Sequence, residues 1–259
     1  MKVLDKGSVE LIDHMGTDLS VVDAARVSFS KGSEWLRNDA ALHGYTQSLH
    51  RRKDAKWLLS HDERMLEWVR GIVYPCLNYE DRGLINYLAR EGHWTPFGQV
   101  NVKLRIKMPI FVARQAMRTN VGVVWNEESR RYIDSEPEFY EPEVWRGRPE
   151  GSIKQGSGNV VEYSNAIPAY EYLSSEEIAV YEYKDRLAQG VAPEMARMVL
   201  PQSTYTTVIA NFTLAAAARF CGLRSDSHAQ LEIQQYANAM SELISPLFPV
   251  SWAALTGGE

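Results

Sequence analysis

The chain has 259 residues, 45% of them hydrophobic and 24% charged, with a formal net charge of −5 at pH 7. No run approaches the ~18 apolar residues that span a bilayer, and the opening MKVLDKGSVEL lacks the apolar stretch of a signal peptide, so a cytoplasmic protein without a membrane partner is expected. Two cysteines, Cys76 and Cys221, without metal or CxxC spacing, argue against disulfides and zinc, and the acidic balance argues against wrapping duplex nucleic acid. In chain order, Val9, Leu11 and Ile12 predict a strand after a Lys6-Gly7 turn, and Val21, Ala24 and Ala25 a short helix closed by Arg26-Val27-Ser28-Phe29. Residues from Glu34 to Glu80 are rich in Lys, Arg and Asp, with Trp35, Trp57 and Trp68 on expected helices. Asp81 to Arg90 predicts another helix. Gly92 is placed to cap it, and Pro96 prevents its continuation, so His93 and Thr95 sit on a constrained turn.

Val100 to Met108 alternates apolar and polar residues as a half-buried strand does. The stretch PIFVARQAMRTNVGVVWNEESRRY follows. Pro109 suits a first helical position, with Ile110, Ala113 and Met117 on one face, and Arg114, Gln115 and Arg118 on another. With Arg130 and Arg131, four arginines fall within eighteen residues of an acidic chain. Planar guanidinium forks match phosphate oxygens or a pyrimidine's carbonyl edge, which points to an anion pocket; a solvated face with surface ion pairs is the alternative. Glu136 to Gly158 reads as a long connection, Asn159 to Gln189 as a helix ended by Gly190, and Pro193 as the start of another that carries Arg197 among apolar residues. Ser203 to Phe212 predicts a second long strand, with a helix from Ala215 to Phe220. A capping box of Ser227 and Gln230 is expected to open a last helix just after Arg224, with Ala229, Ile233, Tyr236, Met240, Leu243 and Leu247 as its core stripe.

Six ordered stretches, MGTDLSVVDAARVSF, GHWTPF, PIFVARQAMR, NEESRRY, PEMARMVLP and LRSDSHAQLEIQQYA, together resemble the flavin-dependent thymidylate synthases. The similarity runs from Lys2 through the last helix, with an apparent helical insertion at about 34–80 in one domain spanning 1–259. The resemblance implies an α+β fold of antiparallel strands packed with long helices. It also implies a homotetramer whose active sites are shared between subunits. The implied reaction is reductive methylation of dUMP to dTMP, with methylenetetrahydrofolate as carbon donor and FAD carrying hydride from NADPH. No metal is implied.

Carried over position by position, the resemblance assigns Gln115, Arg118, Glu127, Ser129, Arg130, Arg131 and Arg197 to dUMP, with Arg131 and Arg197 toward its phosphate. Arg224 matches the arginine that meets the uracil edge and favours its N3-ionised form, and His93 the histidine beside the flavin and folate region. Both are the implied catalytic residues. Ser28 and Thr95 match flavin contacts, and Arg118 and Glu127 face the flavin as well. The chain departs from the family where Arg118-Thr119-Asn120 replaces Arg-His-Arg, with eight residues instead of seven before Ser129. Thr213, Ala215 and Arg219 stand where Asn, Arg and Asn or His are common around the flavin, and Gly98 where a glutamate is usual. The changes cluster on the flavin side. They leave three readings open: a synthase with a rebuilt flavin pocket, another flavin-dependent C5 modification such as hydroxymethylation, or a non-catalytic nucleotide-binding relative. In all three Cys221, in an apolar helical stretch, is expected to be inert and Ser129 to bind instead of attacking.

Overall fold

The computed structural model describes residues 1–35, 77–133, 135–149, 156–163, 166–167 and 170–257 (at 166–167 and 170–173 the backbone alone), so all but the two ends of the expected 34–80 insertion lies outside the described residues. In chain order the strands are β1 (Lys2–Val3), β2 (Gly7–Met15), β3 (Asn101–Pro109), β4 (Val123–Glu127), β5 (Trp145–Arg146), β6 (Val160–Val161), β7 (Ala166–Ile167), β8 (Tyr170–Ser174) and β9 (Tyr205–Thr213). The helices are α1 (Asp18–Arg26), α2 (Tyr79–Arg90), α3 (Ile110–Ala116), α4 (Ser175–Ala188), α5 (Pro193–Ala196), α6 (Leu214–Arg224), α7 (Leu231–Ile244) and α8 (Pro249–Thr256). They form two compact units, Met1–Met15 with Val100–Leu247 and Gly16–Gln99 with Phe248–Glu259.

The first unit is an antiparallel sheet in the order β1-β2-β3-β9-β4, so the α+β expectation holds. Its centre is the register of β3 on β9, from Asn101 opposite Thr213 to Pro109 opposite Tyr205. Strict alternation sends Val102, Leu104, Ile106 and Met108, with Val208, Ala210 and Phe212, into the core. Each such large side chain contributes about 1.5–3 kcal/mol by leaving water. Helix α7 covers the sheet through Ile233, Tyr236, Ala237, Met240 and Ile244, whereas Leu243 and Leu247 are only half-buried. The Tyr236 hydroxyl donates to the Lys107 carbonyl at 2.8 Å, tying helix to sheet.

Several local expectations are corrected. Pro109 closes β3 in extended conformation, and α3 buries Val112, Ala113 and Ala116, not a face through Met117. The helix expected over 159–189 is confined to α4, because the Ser174–Glu177 capping box starts it there and the Val160–Val161 pair enters a strand with Trp145–Arg146. The Ser227 capping box does not form: α7 starts at Leu231 with Gln230 at its N-cap, while Asp226 caps the preceding turn by accepting the His228 N–H at 2.8 Å.

In the second unit two buried carboxylates organise the helices. Asp18 accepts the Val250 and Ser251 N–H groups at 2.9 and 2.8 Å, satisfying orphan donors at the start of α8. Asp81, fully buried, accepts from Arg26 Nε at 2.9 Å, from Asn78 Nδ2 at 2.8 Å and from the Ser33 hydroxyl. Gly92, at φ +70°, ends α2 as a Schellman turn in which His93 N–H reaches the Leu88 carbonyl at 2.8 Å.

Candidate functional site

Residues of the first unit line a cleft of about 1050 Å³ between the ends of α3, α6 and α7 and the 140–146 segment. Gln115 and Arg224 meet at it. Arg224 is the last residue of α6, where a cation is favoured by the helix's negative end, and α7 begins several residues later, so it does not adjoin a helix N-terminus as expected. Its Nη2 donates to the Gln115 backbone carbonyl at 3.0 Å. Arg224 Nε and Gln115 Oε1, on two residues that line the cleft, are buried and have no partner. Burial, and then the neighbouring charge of Arg118, pull Arg224 below the usual arginine pKa.

The opposite wall was not legible as a site. Arg146 Nη2 donates to Glu232 Oε1 at 2.5 Å, the Tyr140 hydroxyl donates to the same oxygen at 3.1 Å, and Arg146 Nε reaches Ser157 Oγ at 2.7 Å. Burial pushes the Glu232 carboxyl up, but the Arg146 hydrogen bond and charge outweigh it and hold it below the usual range. Burial, then the Glu232 charge, push the Tyr140 phenol up, so it remains a donor. Glu232 Oε2 and Ser203 Oγ are further buried atoms without partners, and both residues line the cleft. Glu232 sits within a quoted sequence stretch, but its signal is helical period alone; Tyr140 and Arg146 lie in what reads as connection.

Beyond α3 the chain turns back into β4. Glu127, at its end, accepts the Thr206 hydroxyl at 2.8 Å. Ser129 Oγ accepts from Arg131 Nε at 3.2 Å, so its hydroxyl orients a guanidinium. Arg130 Nη1 donates to the Ser135 carbonyl at 2.9 Å, and its Nε is buried without a partner. Arg197 is exposed, not buried, and donates to the Glu194 carbonyl at 3.3 Å. None of Arg118, Glu127, Ser129, Arg130, Arg131 and Arg197 lines the cleft.

A family model described as "Thymidylate synthase complementing protein" matches residues 10–250. The chain is 36% identical over 252 residues to a flavin-dependent thymidylate synthase of Thermus thermophilus, covering 97% of this chain and 76% of that one. It is 35% identical over 263 residues to the flavin-dependent thymidylate synthase of Kosmotoga olearia, covering 98% and 92%. The chain belongs to the flavin-dependent thymidylate synthase family. Two solved structures of a UMP/dUMP methylase, PolB of Streptomyces cacaoi, bound with 5-Br dUMP and with 5-Br UMP, share 28% identity with it. Their TM-scores are 0.68 and 0.67; each covers 99% of this chain, and 97% and 96% of theirs.

The positions that depart from the flavin-dependent synthase pattern have structural employment. Thr213 Oγ1 caps α6 by accepting the Ala216 N–H at 3.2 Å, and Ala215 is half-buried on the same turn. Arg219 Nη2 donates to the Val121 carbonyl at 2.9 Å. Thr119 is buried and its carbonyl accepts Trp125 Nε1 at 3.0 Å; Asn120 is exposed. Gly122, at φ +77°, brings this turn so close to α6 that a Cβ would lie 2.7 Å from Thr213 Oγ1. Arg118, Asn120 and Arg219 nonetheless leave polar side chains exposed around one turn, a donor set that suits an anionic diphosphate.

In the second unit Ser28, His93 and Thr95 are all exposed. The His93 ring stands edge-on to Tyr87 with centroids 6.0 Å apart. A Cβ at Gly98 would meet the Trp94 ring at 3.3 Å, so the glutamate usual there would have to displace the indole. Cys221 is buried, and burial pushes its thiol up to about 12, which makes it inert as a nucleophile. Among the described residues no helix is long and apolar enough to cross a membrane.

Proposed function

We propose that this chain methylates C5 of dUMP to give dTMP, with methylenetetrahydrofolate as carbon donor and NADPH as the source of hydride through FAD. The observation that carries this reading is the Arg224–Gln115 pair. An unspent guanidinium N–H and an unspent amide oxygen, on two residues joined by a hydrogen bond at the cleft, complement the carbonyl and N–H that adjoin on a pyrimidine's edge. A guanidinium there also stabilises negative charge on the ring, which makes C5 more nucleophilic. Arg131, held by Ser129, with Arg130 and Arg197, supplies charged forks for the phosphate; Arg118 and Glu127 complete the nucleotide set.

The flavin supplies hydride transfer when bound. Arg118, Asn120 and Arg219 would hold its phosphates, with Thr119, Glu127, Thr213 and Ala215 forming the surrounding surface and Ser28 and Thr95 adding hydroxyl contacts. His93 takes the role of the histidine beside flavin and folate, and a homotetramer would share these residues between subunits. One domain spanning 1–259, with the 34–80 segment inserted, is the organisation this reading uses.

A second reading is favoured by the solved relative, described as a UMP/dUMP methylase and bound with analogues of both: this chain accepts UMP as well. Purified protein supplied with FAD, NADPH and methylenetetrahydrofolate decides between them by the mass of the nucleotide formed from dUMP or from UMP. dTMP alone supports the first reading and ribothymidine monophosphate adds the second. A 5-hydroxymethyl product, or unchanged nucleotide, overturns both.

A further inference from the structure

The turn between α6 and α7 holds a pair of side chains to which no role has been given. Asp226 Oδ1, already accepting the His228 N–H at 2.8 Å, lies 2.8 Å from His228 Nδ1 as well. Both residues line the same cleft as Gln115 and Arg224. One carboxylate oxygen therefore fixes the imidazole twice, through its backbone and through its ring. In a neutral imidazole, an Nδ1–H given to the carboxylate leaves the lone pair on Nε2. The His228 hydrogen bonds, backbone first and then side chain, hold Asp226 below the usual carboxylate range, so it is ionised at neutral pH.

The methylation proposed above, on which this inference rests, sets a chemical demand. Replacing the hydrogen on C5 by a methyl group requires a proton to leave C5. The other groups at the cleft are poorly suited to take it. Arg224 and Arg146 are guanidiniums and cannot act as bases at neutral pH, and Gln115 is an amide. Tyr140 keeps its own proton. Glu232 has one oxygen occupied by Arg146 and Tyr140, and Arg146 holds its carboxyl below the usual range, which makes it a weak base. Glu141 is paired with Lys6 at 3.5 Å, and Glu176, in the first turn of α4, is the competing carboxylate of the lining. The His228 side chain, 65% exposed, can pass a proton on to water.

We propose that His228 is the base that takes the C5 proton, with Asp226 as its positioning residue. The C5–C6 π electrons form the bond from C5 to the one-carbon unit as one of that carbon's two C–N bonds in methylenetetrahydrofolate breaks and its electron pair returns to the nitrogen. The C5–H bond then breaks, its electron pair restores the C5–C6 double bond, and the proton moves to His228 Nε2 and on to solvent. Nothing in this step needs an oxidant or reductant; the reduction of the new carbon is the separate hydride step.

The test uses the full chain with FAD, NADPH, methylenetetrahydrofolate and dUMP or UMP tritiated at C5. Tritium released to water, the nucleotide formed, the dUMP dissociation constant and the visible flavin spectrum are followed together. His228→Gln is expected to lower tritium release and product formation in parallel, by about a hundredfold, with nucleotide affinity and flavin spectrum unchanged. Asp226→Asn is expected to lower kcat and tritium release together while leaving the dUMP dissociation constant unchanged. A purely structural role for Asp226 would change affinity or melting temperature and leave kcat at saturating nucleotide in place. Wild-type rates of tritium release in His228→Gln overturn the assignment while leaving C5 methylation standing. Absence of release from both nucleotides in the wild-type protein removes the methylation reading, and the base with it.

Discussion

The two ends of helix α6 have opposite polar economies. At its start Thr213 caps the helix and Arg219 reaches the Val121 carbonyl, so the groups that replace the family's flavin-side residues are bonded to the protein's own backbone. At its end Arg224 spends Nη2 on the Gln115 backbone and leaves Nε buried with nothing to donate to, and the Gln115 side-chain oxygen is equally unpaired. A buried polar atom without a partner costs about 1–3 kcal/mol. A chain that has satisfied one end of the helix and not the other keeps, at the second, atoms open to a ligand's hydrogen bonds, which is what the proposed role of Arg224 requires. At the first end these side chains are bonded within the protein; at the second, donor and acceptor atoms remain unpaired.

The sharpest way to break this comparison is Arg224→Ala. Turnover is expected to fall by a hundredfold or more, about what loss of a charge-stabilising donor costs, with circular dichroism and melting temperature close to wild type. A variant of normal turnover would remove Arg224 from the site. The far wall of the cleft should respond the other way. Glu232→Ala leaves Arg146 without its partner in a largely buried position, which is expected to cost about 3 kcal/mol of stability, read from denaturant unfolding. Because Glu232 is held below its ordinary pKa, its contribution is present above the unfolded-state carboxylate pKa. It is lost as pH falls through the lower folded-state value, so wild type should lose this increment on acidification and Glu232→Ala should not.

Two smaller effects sharpen the contrast. Arg131→Ala is expected to weaken dUMP binding by about tenfold, in line with one charge-assisted hydrogen bond, with kcat at saturating nucleotide nearly unchanged; isothermal titration reads this directly. Thr213→Ala removes the cap of α6 and should cost about 1 kcal/mol of stability, with a smaller change in flavin affinity. The reverse order, flavin affinity lost and stability kept, would return Thr213 to the cofactor.

How much of this was legible in the sequence follows from where the signal is periodic. Strands β3 and β9 alternate cleanly because both pack one face on helices, and α2 announces its end through Gly92, whereas its start at Tyr79, capped by Asn78, lies two residues before the expected Asp81. Segment 159–174 misled because its tyrosines and short aliphatics recur near the helical period, while the capping box that starts α4 lies at Ser174, inside the expected helix. The Ser227 box failed for a related reason: Asp226, one residue earlier, competes for the same turn and takes the His228 N–H. In the site, Gln115 and Arg224 were identified by their motifs. Tyr140 and Arg146 were not, since their meeting with Glu232 spans 92 and 86 residues of chain. A contact of that separation leaves no local pattern to read.

The central claim is that a flavin held by this altered surface is coupled to methylation at C5. Anaerobic single-turnover spectroscopy tests it most directly: the protein is loaded with FAD, bleached with NADPH, freed of excess reductant, and its visible absorbance followed as nucleotide and methylenetetrahydrofolate are added. The account predicts that flavin absorbance returns only when both are present, and that methylated nucleotide forms in equal amount. A protein that holds no flavin even with dUMP bound, or whose absorbance stays bleached with both partners supplied, would contradict it.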